Sequence, residues 1–294
     1  MNARATILGV DLGGTKTALA LYDAKTLERK AEQVLPTHAE RGFEAVREDL
    51  LAEIDALRAT DTVAVGVGVP GLVRADTHRV LTMPNIPGAE GADLRADIEV
   101  HTGLPVVIEN DARCFAFAEA LAGAGKGHRV VVGVTLGTGV GGGIVIDGKL
   151  YHGARGFAGE VGHMLLMPGK PPYAADDDRG SAEQFLSGTA LGRRCKGART
   201  PAEYLEGEAG TSLKPQVFRE LAWLVTDLTY ALDPSIIVFG GSVGRALKPY
   251  LQEIESELKH WLLPRSQPPV ITCGILDDAA RRGAALLAKE AMAK

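Results

Sequence analysis

The chain has 294 residues, a net charge of −5 and a hydrophobic content of 46%, which is enough for a sizeable core in two domains or one large α/β domain. No run of basic residues exceeds two and no apolar stretch approaches the roughly 20 residues of a bilayer crossing, so we expect no nucleic-acid or membrane partner. The N-terminus lacks a secretory signal pattern, and three widely spaced cysteines indicate neither a disulfide framework nor a zinc ribbon, so we expect a cytoplasmic protein.

The first part of the chain alternates strand and helix patterns. Residues 5–10 (ATILGV) predict a buried strand, the turn DLGGT follows, and KTALALYD predicts the second strand of a hairpin. Apolar residues at helical spacing predict a helix over residues 42–59. Further strands are expected at residues 62–71 and 105–110, and a helix at residues 111–125.

The same order restarts further along the chain. Residues 129–153 again predict a strand, a glycine turn and a strand. Two halves that open in the same way indicate a duplicated α/β architecture with a cleft between two domains, residues 1–115 and 116–294. The terminal helix is expected to pack back on the first domain. The remaining predicted elements are a helix at 216–232, a strand at 235–241, a helix at 245–263, a strand at 269–276 and a helix at 281–294.

The first glycine turn has the residues of a phosphate site. Adjacent Gly13 and Gly14 let backbone N–H groups converge on an anion, and Thr15 and Lys16 add donors. Asp11 at the strand end can hold Mg²⁺ through water. A hairpin turn alone would not require these side chains, so we favour phosphate binding.

Two other glycine clusters follow. LGTGVGGG, which includes Thr138 and Gly139, is close to a dinucleotide-binding fingerprint, but a strand follows it where that motif requires a helix. A second phosphate-binding hairpin fits better. Gly240 and Gly241 lie between a strand and a helix, where the sequence leaves nucleoside binding and simple packing equally open.

A candidate general base ends the strand at 105–110. Asp111 can be the N-cap of the following helix, or it can accept a proton from a substrate hydroxyl that Asn110 orients. The residues alone do not separate these readings. Cys114 on the same helix is expected to be a core residue rather than a reactive thiol.

Six motifs in order resemble the ROK family of sugar kinases and sugar-responsive repressors. They are DLGGTK, GVPG, ENDA, LGTGVGGG, GEVGH and FGGS, and they extend over nearly the whole chain. The resemblance implies a two-domain actin-like, ribonuclease-H-like ATPase fold, with ATP, Mg²⁺ and a sugar bound in the interdomain cleft. It also implies a homodimer.

The resemblance assigns roles to individual positions. Asp111 would be the base for the sugar 6-hydroxyl. The other sugar-binding residues would be Gly71, Asn110, Glu160, His163 and Glu183. The residues around ATP would be Asp11, Gly13, Gly14, Thr15, Lys16, Thr138 and Gly139 at the phosphates and Gly240 and Gly241 near the adenosine.

The segments ENDARCF and LGTGVGGGIVIDGK look most like bacterial N-acetylglucosamine kinases and fructokinases. N-acetylglucosamine is therefore the favoured acceptor, and fructose, glucose, mannose and N-acetylmannosamine remain open. Arg113 stands where those enzymes usually have Asn, so it either affects substrate choice or lies beside the site.

The chain departs from the family after GEVGH, where most members carry three cysteines that bind a structural zinc with the histidine. The cysteine positions fall on Ala174, Asp176 and Ser181, so we expect no zinc. Packing of Pro171-Pro172-Tyr173 is expected to hold the loop instead. Asp176-Asp177-Asp178 is interpreted as a solvated turn rather than a weak Mg²⁺ or Ca²⁺ contact.

Two alternatives to a sugar kinase are a sugar-responsive repressor and a nucleotide switch of the same fold. A repressor of this family carries an N-terminal DNA-binding domain, whereas the first strand here is expected within five residues of the start. A nucleotide switch of actin-like or chaperone-like type would lack a sugar pocket. The pair Asn110-Asp111 together with Glu160, His163 and Glu183 favours the kinase.

Overall fold

The computed structural model describes residues 5–74, 77, 79–174, 177–196, 198, 200–201 and 203–293. Strands and helices alternate along the chain. The strands are β1 (Thr6–Leu12), β2 (Lys16–Asp23), β3 (Arg29–Pro36), β4 (Thr62–Val69), β5 (Leu72–Val73), β6 (Val80–Thr82), β7 (Val106–Asn110), β8 (Val130–Leu136), β9 (Val140–Ile146), β10 (Lys149–Leu150), β11 (Ile236–Gly240) and β12 (Val270–Cys273). The helices are α1 (Phe43–Leu57), α2 (Leu94–Thr102), α3 (Asp111–Ala122), α4 (Ala182–Leu186), α5 (Gly188–Arg194), α6 (Gly207–Leu232), α7 (Gly241–Ala246), α8 (Leu251–Trp261) and α9 (Ala279–Met292).

In the described part of the chain, two mixed five-stranded sheets repeat one topology. The first has the order β3-β2-β1-β4-β7 and the second the order β10-β9-β8-β11-β12. In each, a hairpin and its third strand pair antiparallel, and the next two strands pair parallel. The expected α/β class is confirmed, and the repeat in topology matches the repeat read from the sequence.

The chain divides into two compact units. The first contains the chain up to Ala118, residues 152–157 and the chain from Leu276 onward, and the second contains residues 119–151 and 158–275. Each unit is therefore built from separated segments, whereas the division into residues 1–115 and 116–294 assumed continuous ones. That division stays a prediction.

The core of the first unit lies on both faces of its sheet, since neighbouring residues of a strand point to opposite faces. Leu8 and Val10 of β1 pack in a cluster with apolar residues of α1 and α2. Ile7 of the same strand packs in another cluster with Ala285 and Ala288 of α9. The terminal helix thus covers β1 and β4 within this unit.

The second unit buries α4, α6 and α8 against β8 and β11 in one cluster. The predicted helix at 245–263 is wrong as a single element: α7 ends at Ala246 and α8 begins at Leu251, with Pro249 between them. Proline lacks a backbone N–H and restricts the residue before it, which separates the two helices. Among the helices of the described residues, none is long and apolar enough for a bilayer crossing.

Candidate active site

The end of β7 carries Asn110 and Asp111, and Asn110 is the residue that caps α3. Its Oδ1 accepts the N–H of Arg113 at 3.1 Å, which is the bond of a helix N-cap. Asp111 is the first residue of the helix, and its Oδ1 accepts the N–H of Ala112 at 2.8 Å. The N-cap reading proposed for Asp111 is therefore wrong.

Asn110 also brings two other predicted site residues together. Its Nδ2 donates to the carbonyl oxygen of Gly71 at 3.0 Å and to Asp111 Oδ1 at 3.1 Å. All three residues are half-buried. Gly71, Asn110 and Asp111 thus form one hydrogen-bonded group within the first unit.

Arg113 lies behind this group and is fully buried, with a side chain that is 1% exposed. Its guanidinium contacts the buried carboxylate of Glu109 and donates to the carbonyl oxygen of Gly156. Burial raises the pKa of Glu109, but the hydrogen bond from His152 and the further contacts outweigh this and lower the pKa. The Arg113 guanidinium is thus engaged inside the protein, and an effect of this residue on substrate choice stays a prediction.

The first glycine turn joins β1 to β2 and is closed by the Gly13 N–H, which donates to the Lys16 carbonyl oxygen at 3.0 Å. Thr37 holds the turn from the side. Its hydroxyl donates to the Gly13 carbonyl oxygen at 2.6 Å, and its N–H donates to the Thr15 carbonyl oxygen at 3.0 Å. These bonds engage the Gly13 N–H and the carbonyl oxygens of Gly13, Thr15 and Lys16, so the shape of the turn is fixed by its own backbone and by Thr37.

Asp11 stands at the end of β1, and burial raises the pKa of its carboxyl from 3.8 to about 6, although Lys16 and Arg281 act in the opposite direction. A carboxylate whose charge is disfavoured by burial gains from a nearby cation. This environment fits Mg²⁺, a cation that prefers oxygen ligands and retains several waters.

The second glycine turn joins β8 to β9 and is held by α4 and α5. Thr189 donates its hydroxyl to the Thr138 carbonyl oxygen at 2.8 Å. Glu183 Oε2 accepts the N–H of Val140, the residue after Gly139, at 2.9 Å. Glu183, which was predicted to bind the sugar, is therefore in contact with the second glycine turn.

Gly240 and Gly241 lie between β11 and α7. Gly241 has φ of +76°, and a Cβ there would overlap the backbone of Leu136 in β8. The left-handed conformation and the close approach both require glycine at this position. This supplies the packing reason that the sequence left open, and a role beside the adenosine stays a prediction.

Glu160 precedes a short 3₁₀ turn, Val161–His163, and His163 is its last residue. The N–H of His163 donates to the Glu160 carbonyl oxygen at 3.1 Å, so the backbone holds these residues together. Glu160 is half-buried, and the His163 side chain is exposed.

Backbone hydrogen bonds close the loop that follows His163. The Leu166 N–H donates to the Gly180 carbonyl oxygen at 2.9 Å, and the Ala182 N–H donates to the Met164 carbonyl oxygen at 2.7 Å. An isolated bridge between Leu165 and Ser181 lies between them. The segments that follow His163 and precede Glu183 are thus paired by backbone hydrogen bonds.

Side chains hold the rest of this loop. Ser181 and Gln184 form a capping box at α4, and Gln184 Nε2 donates to Asp177 Oδ1 at 3.0 Å. Bonds from the side chain and backbone of Arg179 lower the pKa of Asp177 to about 2. The Arg193 guanidinium lies 5.1 Å from the Tyr173 ring centroid. Asp177 is therefore part of the loop's own structure.

The segment between His163 and Glu183 contains no cysteine for a structural zinc. The thiols Cys114, Cys195 and Cys273 are buried, and none lies in this loop. Asp176 lies outside the described residues. Among the residues that are described, no group of three or more His, Cys, Asp or Glu side chains can hold a metal ion. The absence of zinc from the protein stays a prediction.

Comparison with known proteins gives the family. The ROK family model matches residues 7–291. The glucokinase of Streptomyces coelicolor is 34% identical over 317 residues, covering 96% of this chain and 97% of that protein. The N-acetyl-D-glucosamine kinase of Vibrio parahaemolyticus is 34% identical over 301 residues, with coverages of 95% and 98%.

A solved structure agrees with these relatives. The ROK family glucokinase of Streptomyces griseus, in complex with glucose and AMPPNP, has a TM-score of 0.79 and 31% identity to this chain, covering 97% of this chain and 100% of that one. The fold is thus that of ROK kinases, the actin-like ATPase fold. The chain belongs to the ROK family and is a sugar kinase, a phosphotransferase with an alcohol group as acceptor.

Proposed function

We propose that this enzyme transfers the γ-phosphoryl group of ATP to the 6-hydroxyl of N-acetylglucosamine. The observation that carries the transfer mechanism is the hydrogen-bonded pair at the end of β7, in which Asn110 caps α3 and Asp111 begins it. The choice of N-acetylglucosamine rests on the resemblance of the segments ENDARCF and LGTGVGGGIVIDGK to N-acetylglucosamine kinases. A carboxylate in that position, held by its neighbours, is suited to act as a general base.

In this mechanism, the Asp111 carboxylate accepts the proton of the sugar 6-hydroxyl as that oxygen attacks the γ-phosphorus. Asn110 fixes the direction of the carboxylate through its 3.1 Å bond to Asp111 Oδ1. Gly71, Glu160, His163 and Glu183 bind the sugar. Positioning of the acceptor accounts for a large part of the rate in such transfers, because the transition state needs little covalent help from the protein.

The two glycine turns bind the ATP phosphates through backbone N–H groups, with Thr15, Lys16 and Thr138 as further donors. When bound with ATP, Mg²⁺ neutralises charge on the phosphate oxygens, and Asp11 is the residue that would hold it through water. Gly240 and Gly241 lie beside the adenosine. The interdomain cleft and the homodimer expected from the sequence stay predictions.

Glucose is the second candidate acceptor. The Streptomyces coelicolor glucokinase and the Vibrio parahaemolyticus N-acetyl-D-glucosamine kinase are each 34% identical to this chain. Equal identity to enzymes of different specificity supports testing the sugars side by side.

The test is ADP release coupled to NADH oxidation, run with N-acetylglucosamine, glucose, fructose, mannose and N-acetylmannosamine. Asp111→Asn is expected to lower kcat by roughly 10²- to 10⁴-fold, the range of general-base contributions. Asp93→Asn is the matched control, because Asp93 caps the surface helix α2 through the Ala96 N–H. The proposal fails if no sugar supports turnover or if Asp111→Asn retains full activity. If kcat/KM is highest with glucose, glucose replaces N-acetylglucosamine as the proposed acceptor, and the mechanism is unchanged.

A further inference from the structure

A buried carboxylate lies directly behind the proposed catalytic pair. The Glu109 side chain is 3% exposed, and both of its oxygens are engaged. Oε1 accepts the N–H of Asn110 at 2.8 Å and lies 3.4 Å from Nη1 of Arg113, while Oε2 lies 2.6 Å from Nε2 of His152. Because an ionised carboxylate only accepts hydrogen bonds, Nε2 of His152 is the protonated nitrogen.

The same contacts attach a distant segment to the end of β7. His152 and Gly156 belong to residues 152–157, which lie in the same compact unit as Glu109 and Arg113. His152 binds Glu109, and the Gly156 carbonyl oxygen accepts from Arg113. The segment is therefore held at two points: His152 binds Glu109, the residue before Asn110, and Gly156 binds Arg113, in the first turn of α3.

A network of this kind is a costly way to obtain stability alone. Buried charges lose their hydration, and apolar residues of similar volume often stabilise a fold equally well. What charge-assisted hydrogen bonds supply is fixed geometry, because each bond restricts both distance and direction. Here the restricted groups are the Asn110 backbone and the first turn of α3, which together carry Asp111.

We propose that Glu109, with His152 and Arg113 as its partners, is a positioning residue that fixes Asn110 and Asp111 for proton transfer. Glu109 binds the Asn110 N–H, and Arg113 supplies the N–H that Asn110 caps. His152 supplies the hydrogen-bond donor for the other carboxylate oxygen of Glu109, Oε2. If that donor is lost, Oε2 stays buried without this partner. Glu109 then holds Asn110 and Asp111 less firmly, and both residues can move. This inference rests on the proposed role of Asp111.

The test compares His152→Ala with His152→Gln, whose amide nitrogen stands close to the position of His Nε2. His152→Ala is expected to lower kcat by roughly 10- to 100-fold, since a misplacement of about 1 Å can cost that much. The KM values for ATP and sugar are expected to stay within about threefold. His152→Gln is expected to recover at least half of the wild-type kcat, because it restores the donor.

A surface pair provides the matched control. His101 Nε2 lies 2.7 Å from Asp55 Oδ2, a bond of the same type on exposed side chains. His101→Ala is expected to leave kcat within about twofold of the wild type, as exposed pairs contribute little. Hydrogen exchange of the peptide spanning residues 106–116, measured without substrates, is expected to rise in His152→Ala and not in His101→Ala.

Two results would overturn the inference: a His152→Ala kcat within twofold of the wild type, or equal losses in His152→Ala and His152→Gln. A wild-type enzyme that phosphorylates no sugar would instead refute the proposed function. In that case, the exchange measurement still decides whether the network holds Asn110 and Asp111, with unchanged exchange in His152→Ala counting against it.

Discussion

The two glycine turns occupy equivalent places in sheets of the same topology, yet they are held by different chemistry. The first is held by the hydroxyl of Thr37, and the strand that leads into it carries a carboxylate, Asp11. The second is held by a carboxylate from α4, Glu183, and the strand that leads into it carries Thr135 at the corresponding place. The carboxylate thus lies in the preceding strand at the first turn and in a neighbouring helix at the second.

This difference indicates a division of labour between the two turns. A carboxylate at a strand end can face a cation bound with the phosphates, whereas a carboxylate that accepts a turn N–H fixes the turn itself. Substitutions at equivalent places of the first and second turns test this difference.

The largest expected effect concerns the charge on Asp11. Its pKa is raised from 3.8 to about 6, so the stability supplied by its protonated form is fully present below pH 3.8 and is lost as pH rises through about 6. Asp11→Asn cannot ionise and is expected to be more stable than the wild type above pH 6, by on the order of 3 kcal/mol. Urea unfolding at pH 4, 6 and 8 in magnesium-free buffer measures this. Thr135→Asn is the counterpart at the second turn, where no ionisable group is removed. A difference in unfolding free energy between Asp11→Asn and the wild type that does not change with pH would contradict the expectation.

The second largest effect is expected from adding a side chain to the glycines of the two turns. A Cβ added at Gly14 would lie 2.6 Å from the Cβ of Asn85, an atom fixed by its backbone, whereas one at Gly139 would lie 2.5 Å from Oε2 of Glu183, the end of a flexible side chain. Gly14→Ala is therefore expected to cost about 2 kcal/mol of unfolding free energy, and Gly139→Ala about half of that. Thermal melts of both variants check the order. A larger loss in Gly139→Ala would show that Glu183 is not free to move aside.

The smallest effect concerns the residues that hold the turns. Glu183→Ala removes the acceptor of the Val140 N–H and is expected to cost about 1 kcal/mol, while Glu183→Gln keeps a carbonyl acceptor and is expected to cost less than about half of that. Thr37→Val removes the donor to Gly13 and also the 2.9 Å bond to the Thr17 hydroxyl, which is buried. Its cost is expected to exceed that of Glu183→Ala, as measured by urea unfolding, because water cannot replace a bond to a buried hydroxyl. Equal losses in Glu183→Ala and Glu183→Gln would show that the contact with Val140 does not hold the second turn.

The sequence predicted the elements whose patterns are strong and local. The apolar runs of β1, β4 and β8 and the helical spacing of α1 each specify one element without reference to the rest of the chain. β3 (RKAEQVLP) was missed, because it alternates half-buried and exposed residues and has few apolar ones. α4 and α5, within a stretch read as irregular, are short helices whose capping residues, Ser181 and Ser187, are local signals that were available.

The sequence by itself determined the family, the strand–turn–strand repeat and the positions of the glycine turns, because turn geometry depends on a few adjacent residues. The tertiary structure decided which side chains meet. Glu109 binds His152 and Glu183 binds Val140, in each case across 43 residues of chain. No local pattern encodes such pairs, since the route of the chain between them is set by how the sheets and helices pack. The structure also shows that Asn110 and not Asp111 caps α3, through a local bond to the Arg113 N–H, which leaves Asp111 for the proposed chemistry.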